Sequence, residues 1–425
     1  MKYEKEQLAL ENGIKHDWII TNGIGGYASS TGVNSRKYHG LLVAPLQAPG
    51  GRHLILSKVD ESFESGGIEY PLYSNVCKNY ISEGYKNLVR FEKEYIPIFT
   101  YAIDGATIKK FICMDYGKNT VCILYHIQNN EKRTKLTVTP IVHFRDFHCT
   151  TPNATFTLQQ EIKEKKVKLV VNNRSSTPVY LYASEGIYKE HKNDTFNNMY
   201  YVEEEKRGLD CEENLAVPGS YEIKIRANEE KYVSFICSLE ENIEELDGRN
   251  LVNQEIIRMT SELYDSYLLE PKKQYTEEYK NLMKNYIVAS DNFVVYRPSF
   301  ALYTLIAGYP WFLDWGRDSL ISFEGLVLIP RRFKVAKEVL LTCIRDIKYG
   351  LVPNGYSGYD SRPLYNSVDA SLLLFEQVRK YLNYTHDYDL LKSHLYETLK
   401  KVIDAYIEGI DLDGSFVVGA EVIEE

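Results

Sequence analysis

The densest group of residues that could do chemistry lies at residues 311–319, with the sequence WFLDWGRDS. Two of the chain's three tryptophans fall within five residues there, beside two carboxylates and an arginine. An indole ring covers the apolar face of a sugar, and fixed carboxylate and guanidinium groups hydrogen-bond its hydroxyls. The pattern therefore predicts a sugar-binding pocket formed by Trp311, Asp314, Trp315, Arg317 and Asp318.

The same residues also allow a purely structural explanation. Gly316 permits a sharp turn, and Asp318 or Ser319 is predicted to cap the helix that begins there. In the structural explanation the tryptophans line a core, Arg317 pairs with a neighbouring aspartate, and Asp318 is only the cap. Spacing alone slightly favours this second explanation, because one such cluster is moderately specific at best.

A second group comprises residues 350–354 (GLVPN) and 365–370 (YNSVDA). Asp369 stands inside an otherwise apolar stretch that runs to Phe375. A carboxylate in that position either lies in the first turn of a helix, where the helix dipole stabilises it, or faces a pocket. Taken by itself, Asp369 fits the helix explanation better.

Cofactor and metal chemistry find no support in the sequence. Residues 23–28 (GIGGYA) match a dinucleotide fingerprint, but no amphipathic helix follows, and residues 29–59 lack the required acidic residue. His143, His148 and Cys149 do not have the spacing of metal ligands. We predict no cofactor and no metal.

Composition narrows the possible partners and the compartment. The 425 residues are 44% hydrophobic and 26% charged, which indicates a globular protein of more than one domain. A net charge of −9 argues against nucleic acid or an anionic membrane as partner. The seven cysteines are scattered and no secretion signal opens the chain, so we expect reduced thiols and a cytoplasmic location.

The hydrophobic period changes once along the chain, near residue 240. Before it, alternating runs such as 121–128, 135–144, 166–171 and 221–225 predict an antiparallel β-sandwich. Charged stretches such as 161–166 and 203–207 are predicted to be solvated hairpin ends. After it, a linker helix at 250–268 is followed by five helices: one starting at Thr276, one after Asp318, and those around 333–347, 368–382 and 390–410.

Three blocks of the sequence together resemble one family. Residues 17–46 (DWIITNGIGGYASSTGVNSRKYHGLLVAPL) look like the opening of the bacterial and archaeal glycogen debranching enzymes. Residues 311–328 resemble the W-G-R-D signature of that family, and GLVPN and YNSVDAS recur in the same order. Three blocks in the correct order over most of the chain are far more specific than one.

This resemblance implies a multidomain fold, with an N-terminal β-supersandwich followed by an (α/α)6 toroid. The implied domains are residues 1–245, a linker at 246–274, and a catalytic domain at 275–425. The implied activity is amylo-α-1,6-glucosidase, which removes the α-1,6-linked glucose at a trimmed branch, so the expected partner is glycogen or another branched α-glucan. The resemblance also implies that Asp314, Arg317 and Asp318 line the glucose pocket. It places Tyr365, Asn366 and Asp369 on a later inner helix or loop of the same pocket.

One departure from the family leaves the catalytic residues unassigned. Glycoside hydrolysis needs an acid and a base or nucleophile, and the family places the acid in a Trp-Met-Asp motif that does not occur here. The glutamates at 421, 424 and 425 lie at a free end, which cannot hold catalytic geometry. About five helices of the twelve in a closed toroid follow the linker, so we expect an incomplete toroid, a truncated chain and exposed apolar faces on the last helices.

Two other functions remain open from the sequence. A non-catalytic glycan-binding protein would explain the aromatic cluster and the absent carboxylates. The second of these functions is that of an oligosaccharide phosphorylase or hydrolase with the same architecture. A phosphorylase needs a phosphate pocket, and no Arg/Lys cluster accompanies the candidate site. The sequence does not determine the oligomeric state.

Overall fold

The computed structural model describes residues 1–267, 274–357 and 362–409. The chain divides into two compact units. The first contains Met1–Asn22, Gly26–Pro45 and Arg52–Ile257, and the second contains Gly23–Gly25, Leu46–Gly51 and the chain from Arg258 onward. The domain limits predicted from the sequence remain a proposal.

The first unit is built from two antiparallel sheets, as the alternating runs predict. The strands of the nine-stranded sheet lie in the order Lys2–Glu4, Leu88–Lys93, Pro97–Ile103, Ala106–Met114, Thr120–Gln128, Glu230–Ser238, Val179–Ala183, Lys166–Val171 and Leu158–Lys163. The strands of the ten-stranded sheet lie in the order Trp18–Thr21, Tyr27–Ser30, Gly40–Gln47, Gly50–Ser65, Thr134–Asp146, Glu212–Ile225, Ile187–Tyr200, Val76–Cys77 and Tyr80–Ile81, with Ile68–Pro71 paired to Gly50–Ser65.

The central strand Thr120–Gln128 is buried on both faces. Val121, Ile123 and Tyr125 point into the main core of the sandwich. Cys122 and Leu124 point the other way and pack in two smaller clusters, which also contain Leu251 and Val252, respectively. Part of the helix Gly248–Tyr267, predicted as a linker, therefore covers the outer face of this sheet. Such double coverage explains why the strand reads as an almost continuous apolar run.

The two charged stretches predicted to be hairpin ends lie in connections between paired strands. Residues 161–166 do connect the paired strands Leu158–Lys163 and Lys166–Val171. Residues 203–207 also lie in a hairpin connection, between the paired strands Ile187–Tyr200 and Glu212–Ile225, and residues 205–207 are exposed. The exception is Glu204, which belongs to the short helix Val202–Glu205 and is fully buried. Glu204 Oε2 accepts a hydrogen bond of 3.0 Å from the backbone nitrogen of Lys37, a partner far away in the sequence.

The second unit is mainly helical and contains the five predicted helices. They are Glu277–Asp291, Gly316–Phe323, Phe333–Arg345, Asp369–Thr385 and a segmented helix made of Tyr388–Leu390, Leu391–Leu395 and Tyr396–Glu408. Gly316–Phe323 continues into the π-helical turn Glu324–Leu328. The apolar faces of the last four helices meet in one core that includes Phe323, Leu340 and Leu374. Closure of these helices into a toroid remains a prediction.

Two features of this unit were not predicted. The first is a pair of hairpins whose strands are too short to show an alternating hydrophobic pattern. One pairs Val294–Arg297 with Leu302–Leu305, and the other pairs Gly355–Tyr356 with Pro363–Leu364. Thr276 caps its helix as predicted, with its Oγ1 accepting from the backbone nitrogen of Tyr279 at 3.2 Å. The apolar face of that helix is nevertheless largely exposed, since Tyr286 is 63% accessible.

No helix in the described parts of the chain is long and apolar enough to cross a membrane.

Candidate functional site

The turn at Gly316 is held by backbone hydrogen bonds to the GLVPN block. The Gly316 nitrogen donates to the carbonyl oxygen of Asn354 at 2.6 Å, and the Asn354 nitrogen donates to Leu364 at 2.7 Å. A Cβ at position 316 would collide with the carbonyl oxygen of Pro353. The glycine is therefore required by the close approach of two chain segments, and this approach brings together two of the sequence blocks.

The helix that begins at Gly316 lacks the side-chain cap that the sequence predicted. The residue preceding it is Trp315, and no side chain caps the first turn. Ser319 instead donates from Oγ to the carbonyl oxygen of Leu305 at 3.0 Å. The prediction of an Asp318 or Ser319 cap is wrong, because the Gly316 backbone nitrogen bonds to Asn354 and Ser319 lies one turn inside the helix, facing the hairpin.

Asp314 is buried and paired with an arginine that the sequence reasoning missed. Arg297 Nη1 lies 2.9 Å from Oδ1 and 2.7 Å from Oδ2 of Asp314. Burial raises the pKa of Asp314, and the Arg297 charge opposes that shift. The structural explanation paired Arg317 with a neighbouring aspartate, and Arg317 does lie close to Asp318. The partner of Asp314 is a different arginine, Arg297. Arg297 ends a short hairpin strand, and no local pattern points to it.

The aromatic residues of this segment are accessible. Trp311 is 38% exposed and Phe312 is 48% exposed. The Phe312 and Trp315 rings meet edge to face, with centroids 5.9 Å apart. Gly355 lies beside the Trp315 ring. Exposed rings on a rigid turn can stack on the apolar face of a ligand.

Arg317 and Asp318 are the accessible charged groups of the turn. Their side chains are 44% and 40% exposed, and the Arg317 Nε lies 3.8 Å from Asp318 Oδ2. Despite the exposure of the residue, Asp318 Oδ2 itself is buried and has no hydrogen-bond partner among the described residues. An acceptor in this state can take a hydrogen bond from a ligand hydroxyl.

The second predicted group reaches the same turn through Asn366. The Asn354 side-chain nitrogen donates to Asn366 Oδ1 at 2.9 Å, and Asn366 is exposed. Asn354 Oδ1 is buried and lacks a hydrogen-bond partner within the described residues. The turn thus carries two buried acceptors, one on Asp318 and one on Asn354.

Tyr365 and Asp369 have structural contacts of their own. The Tyr365 hydroxyl donates to the carbonyl oxygen of Asp346 at 2.6 Å. Asp369 is exposed, begins the helix Asp369–Thr385 and accepts a hydrogen bond from Ser367. This position agrees with stabilisation by the helix dipole, the explanation that fits Asp369 taken by itself.

Comparison with known proteins identifies the family. The family profile described as "Glycogen debranching enzyme N terminal" matches residues 16–232, about half of the chain. The profile described as "Amylo-alpha-1,6-glucosidase" matches residues 288–422. This chain belongs to the glycogen debranching enzyme family. The resemblance seen in the three sequence blocks is confirmed.

This debranching-family chain is also similar to individual proteins over parts of their length. A glycogen debranching enzyme of Saccharomyces cerevisiae is 34% identical over 84 residues, which are 19% of this chain and 5% of the yeast protein. A bacterial glucoamylase solved with acarbose aligns with a TM-score of 0.50 and 13% identity, over 92% of this chain and 56% of the glucoamylase. A kojibiose phosphorylase from the human microbiome aligns with a TM-score of 0.39 and 8% identity, over 97% of this chain and 59% of that one.

The glucoamylase similarity supports the general architecture, a β-sandwich followed by helices. The chain spans about half the length of the solved structures that it matches, and a smaller part of the yeast relative. The activity of a whole debranching enzyme is therefore a proposal for this chain and is argued below.

The cavity next to Asp314 is too small for a sugar. Thr304, Gly316 and Tyr356 line it with Asp314, and its volume of about 20 Å³ holds one water molecule. A ligand at this turn therefore meets the accessible side of the segment, where Trp311 and Arg317 are exposed.

The histidines do not form a metal centre. His143 Nε2 lies 2.7 Å from Thr151 Oγ1, in a buried network with Arg145 and Glu213. Burial is the main cause that lowers the pKa of His143 to about 4. Within residues 1–267, 274–357 and 362–409, no group of three or more His, Cys, Asp or Glu side chains could hold a metal ion.

Proposed function

We propose that this chain acts on branched α-glucans and supplies the glucose-binding part of an amylo-α-1,6-glucosidase. The observation that carries the proposal is the set of groups around Gly316: Trp311 is exposed five residues before the turn, and Asp318 Oδ2 and Asn354 Oδ1 are acceptors without a hydrogen-bond partner among the described residues. A glucose unit presents an apolar ring face and several hydroxyl donors, which match these two features. Membership of the debranching family supports the α-1,6 linkage.

The predicted residues have different parts in this proposal. Trp311 and Trp315 form the floor, and Arg317, Asp318 and Asn366 hydrogen-bond the hydroxyls. Tyr365 and Asp369 belong to the edge of the same site, next to Asn366 in the sequence. Asp314 acts as a positioning residue, because both of its oxygens are engaged by Arg297 and it lies buried behind the turn.

The general acid and base remain unassigned in this proposal. A debranching glucosidase must protonate the leaving oxygen and activate water, which takes two carboxyl groups on opposite sides of the bond. The sequence contains no Trp-Met-Asp motif to supply the acid. We therefore expect residues 1–425 to bind a glucan end and to release almost no glucose, whereas a longer family member with that motif releases glucose from a limit dextrin.

A cytoplasmic location is part of the proposal. None of the seven cysteines, all of them in the described part of the chain, forms a disulfide. Three of them are buried in strands at the centre of the sandwich: Cys113, Cys122 and Cys237. Burial is the main cause that raises the pKa of Cys122 to about 12. Free thiols in this number are typical of a reducing compartment, which is where glycogen would be met.

Binding by single-site variants tests the proposal. Arg317→Met and Asp318→Asn should each weaken binding of a limit dextrin about tenfold, the loss of one hydrogen bond to a charged group. Arg379→Met is the matched control, because Arg379 is also exposed and pairs with a nearby carboxylate, Glu376. Isothermal calorimetry on the 425-residue chain measures the affinity.

Each result bears on one function. Unchanged affinity in both site variants would contradict the assignment of the Gly316 turn as the glucan-binding site. Binding by a longer family member without glucose release would favour the glycan-binding function. A rate that requires phosphate would favour a phosphorylase.

A further inference from the structure

Two adjoining, partly open cavities lie in the first unit, where the N-terminal segment meets the β-sandwich. The larger has a volume of about 70 Å³ and the smaller about 50 Å³. Trp18, Leu72 and Phe99 contribute to the walls of both. Cavities of this size in a core that is otherwise close-packed are uncommon, and they stay dry only when their walls are apolar. The walls of these two cavities are partly polar, since Thr31 and Ser74 line both.

Two polar atoms of the larger cavity's wall residues lack partners. Trp18 Nε1 and Glu61 Oε2 are buried and have no hydrogen-bond partner in the described part of the chain. Trp18 is 3% exposed and Glu61 is fully buried. The other oxygen of Glu61 is satisfied, since Tyr125 donates to it at 2.7 Å and Lys110 lies 2.5 Å away. The wall residues of the cavity therefore include a donor, the Trp18 indole N–H, and an acceptor, the Glu61 carboxylate oxygen, without a hydrogen-bond partner among the described residues.

The charges around the larger cavity are balanced. Lys110 pairs with Glu61, and Lys58 lies 2.8 Å from Asp60. An ionic ligand would add an unpaired charge to this buried set, which is costly. A hydroxyl can accept from an indole and donate to a carboxylate, so a neutral molecule with several hydroxyls satisfies both free atoms.

The walls also suit the carbon skeleton of such a molecule. Trp18 and Phe99 meet at 70°, with ring centroids 6.3 Å apart, and Tyr101 lines both cavities. Ring faces of this kind pack against C–H groups. The larger cavity alone has room for about five water molecules at roughly 15 Å³ each, enough for a triol such as glycerol. A hexose would have to occupy both cavities.

We propose that the sandwich binds a neutral polyhydroxy compound, no larger than one hexose, between Trp18 and Glu61. Tyr3 and His16, which are only partly buried and stack at 3.8 Å, line the outer end of the smaller cavity, where the ligand enters. This site rests on the first unit alone and does not depend on the function proposed for the Gly316 turn.

Intrinsic fluorescence isolates the site. The chain has three tryptophans, so the double variant Trp311→Phe/Trp315→Phe leaves Trp18 as the sole indole. Titration of that variant with glucose and with glycerol should give a saturable change in Trp18 emission with at least one of them. Adding Glu61→Gln should weaken the response about tenfold, because the amide nitrogen places a second donor opposite Trp18.

Filling the cavity provides an independent test. Leu72→Phe, in the wall shared by both cavities, should abolish the response, while Leu72→Met conserves volume and should retain it. Far-ultraviolet circular dichroism and a thermal melt confirm that each variant is folded. A crystal of the parent chain soaked in glucose or glycerol should show the compound between Trp18 and Glu61, whatever the emission does. The proposal is overturned if the soaked crystals show only water there, or if Leu72→Phe keeps the full response.

Discussion

Asp314 and Asp318 are four residues apart and have opposite surroundings. Asp314 is 3% exposed and both of its oxygens are engaged by Arg297. The Asp318 side chain is 40% exposed, and its Oδ2 has no hydrogen-bond partner among the described residues. A satisfied buried carboxylate stabilises the fold, and an acceptor without a partner on a partly exposed side chain can bind a ligand. The two aspartates of this motif therefore have different roles: Asp314 stabilises the fold, and Asp318 can bind a ligand.

Replacing Arg297 should mainly affect the stability of the fold, and replacing Arg317 should mainly affect glucan binding. Arg297→Met leaves Asp314 buried without its partner and should lower the free energy of unfolding by about 3 kcal/mol. Arg317→Met removes an exposed side chain and should change that free energy by less than about 0.5 kcal/mol, while weakening glucan binding. Urea unfolding and calorimetric binding of both variants measure the two effects. Equal loss of stability in both would contradict the division of roles.

His143 should make the stability of the sandwich depend on pH. Its folded pKa is about 4, lowered from 6.5 mainly by burial, with Arg145 and Arg174 adding to the shift and Glu213 opposing it. The neutral form is favoured in the folded state, so this contribution is complete above pH 6.5 and is lost as the pH falls toward 4.

The pH effect can be isolated by comparison with a variant. The stability difference between the parent chain and His143→Gln should narrow by about 2 kcal/mol between pH 7 and pH 4.5, since the variant has no histidine to protonate. Urea unfolding at the two pH values measures it. A constant difference for His143→Gln would show that its protonation is not linked to folding.

At the scale of elements, the site depends on how closely one helix start approaches a loop. Gly316 donates from its backbone to Asn354, and the next hydrogen bond links Asn354 to Leu364 in the short hairpin. The Asn354 side chain then reaches Asn366, just before the helix Asp369–Thr385. A helix start, a loop and a hairpin are thereby joined through one asparagine.

Two glycines of the same helical segment should respond oppositely to alanine. Gly316→Ala places a Cβ against the Pro353 backbone and should cost about 2 kcal/mol, because a backbone carbonyl cannot move aside as a flexible side chain can. Gly325→Ala meets nothing within 4 Å and should stabilise the helix by up to about 1 kcal/mol. Thermal melts of the two variants measure the effects. Similar melting temperatures would show that the Gly316 turn tolerates a Cβ.

At the scale of the whole molecule, several helices of the second unit present apolar side chains to solvent. Ile403 and Ile407, four residues apart on Tyr396–Glu408, are 45% and 77% exposed. On Glu277–Asp291, Leu282 and Tyr286 are 48% and 63% exposed. Exposure was expected for the last helices, and Tyr396–Glu408, the last described helix, shows it; the exposure of Glu277–Asp291 was not predicted. Contiguous apolar surface of this kind promotes association.

The 425-residue chain should therefore self-associate in a concentration-dependent manner. Ile403→Lys/Ile407→Lys should shift the sedimentation profile toward the monomer, because two charges on one helix face oppose its burial. Ile187→Lys is the control, since Ile187 is 67% exposed but lies on a strand of the other unit. If the control dissociates the assembly as fully as the double variant, the helix face is not the contact surface.

The sequence by itself determined the features that depend on neighbours along the chain. Alternation predicted the strands Thr120–Gln128 and Lys166–Val171, and helical periodicity predicted Phe333–Arg345 and Asp369–Thr385. The sharp turn at Gly316 and the proximity of the aromatic and charged side chains around it also follow from local order. These features could be predicted because period and turn chemistry are properties of a few consecutive residues.

Only the tertiary structure decided which polar groups are satisfied. Arg297 pairs with Asp314 across 17 positions, and Glu204 pairs with the Lys37 backbone across 167. Neither pairing has a local signature, because burial and hydrogen bonding depend on what the fold brings alongside. The same reason applies to the free acceptors of Asp318 and Glu61: a carboxylate looks the same in the sequence whether or not the folded chain supplies it with a partner.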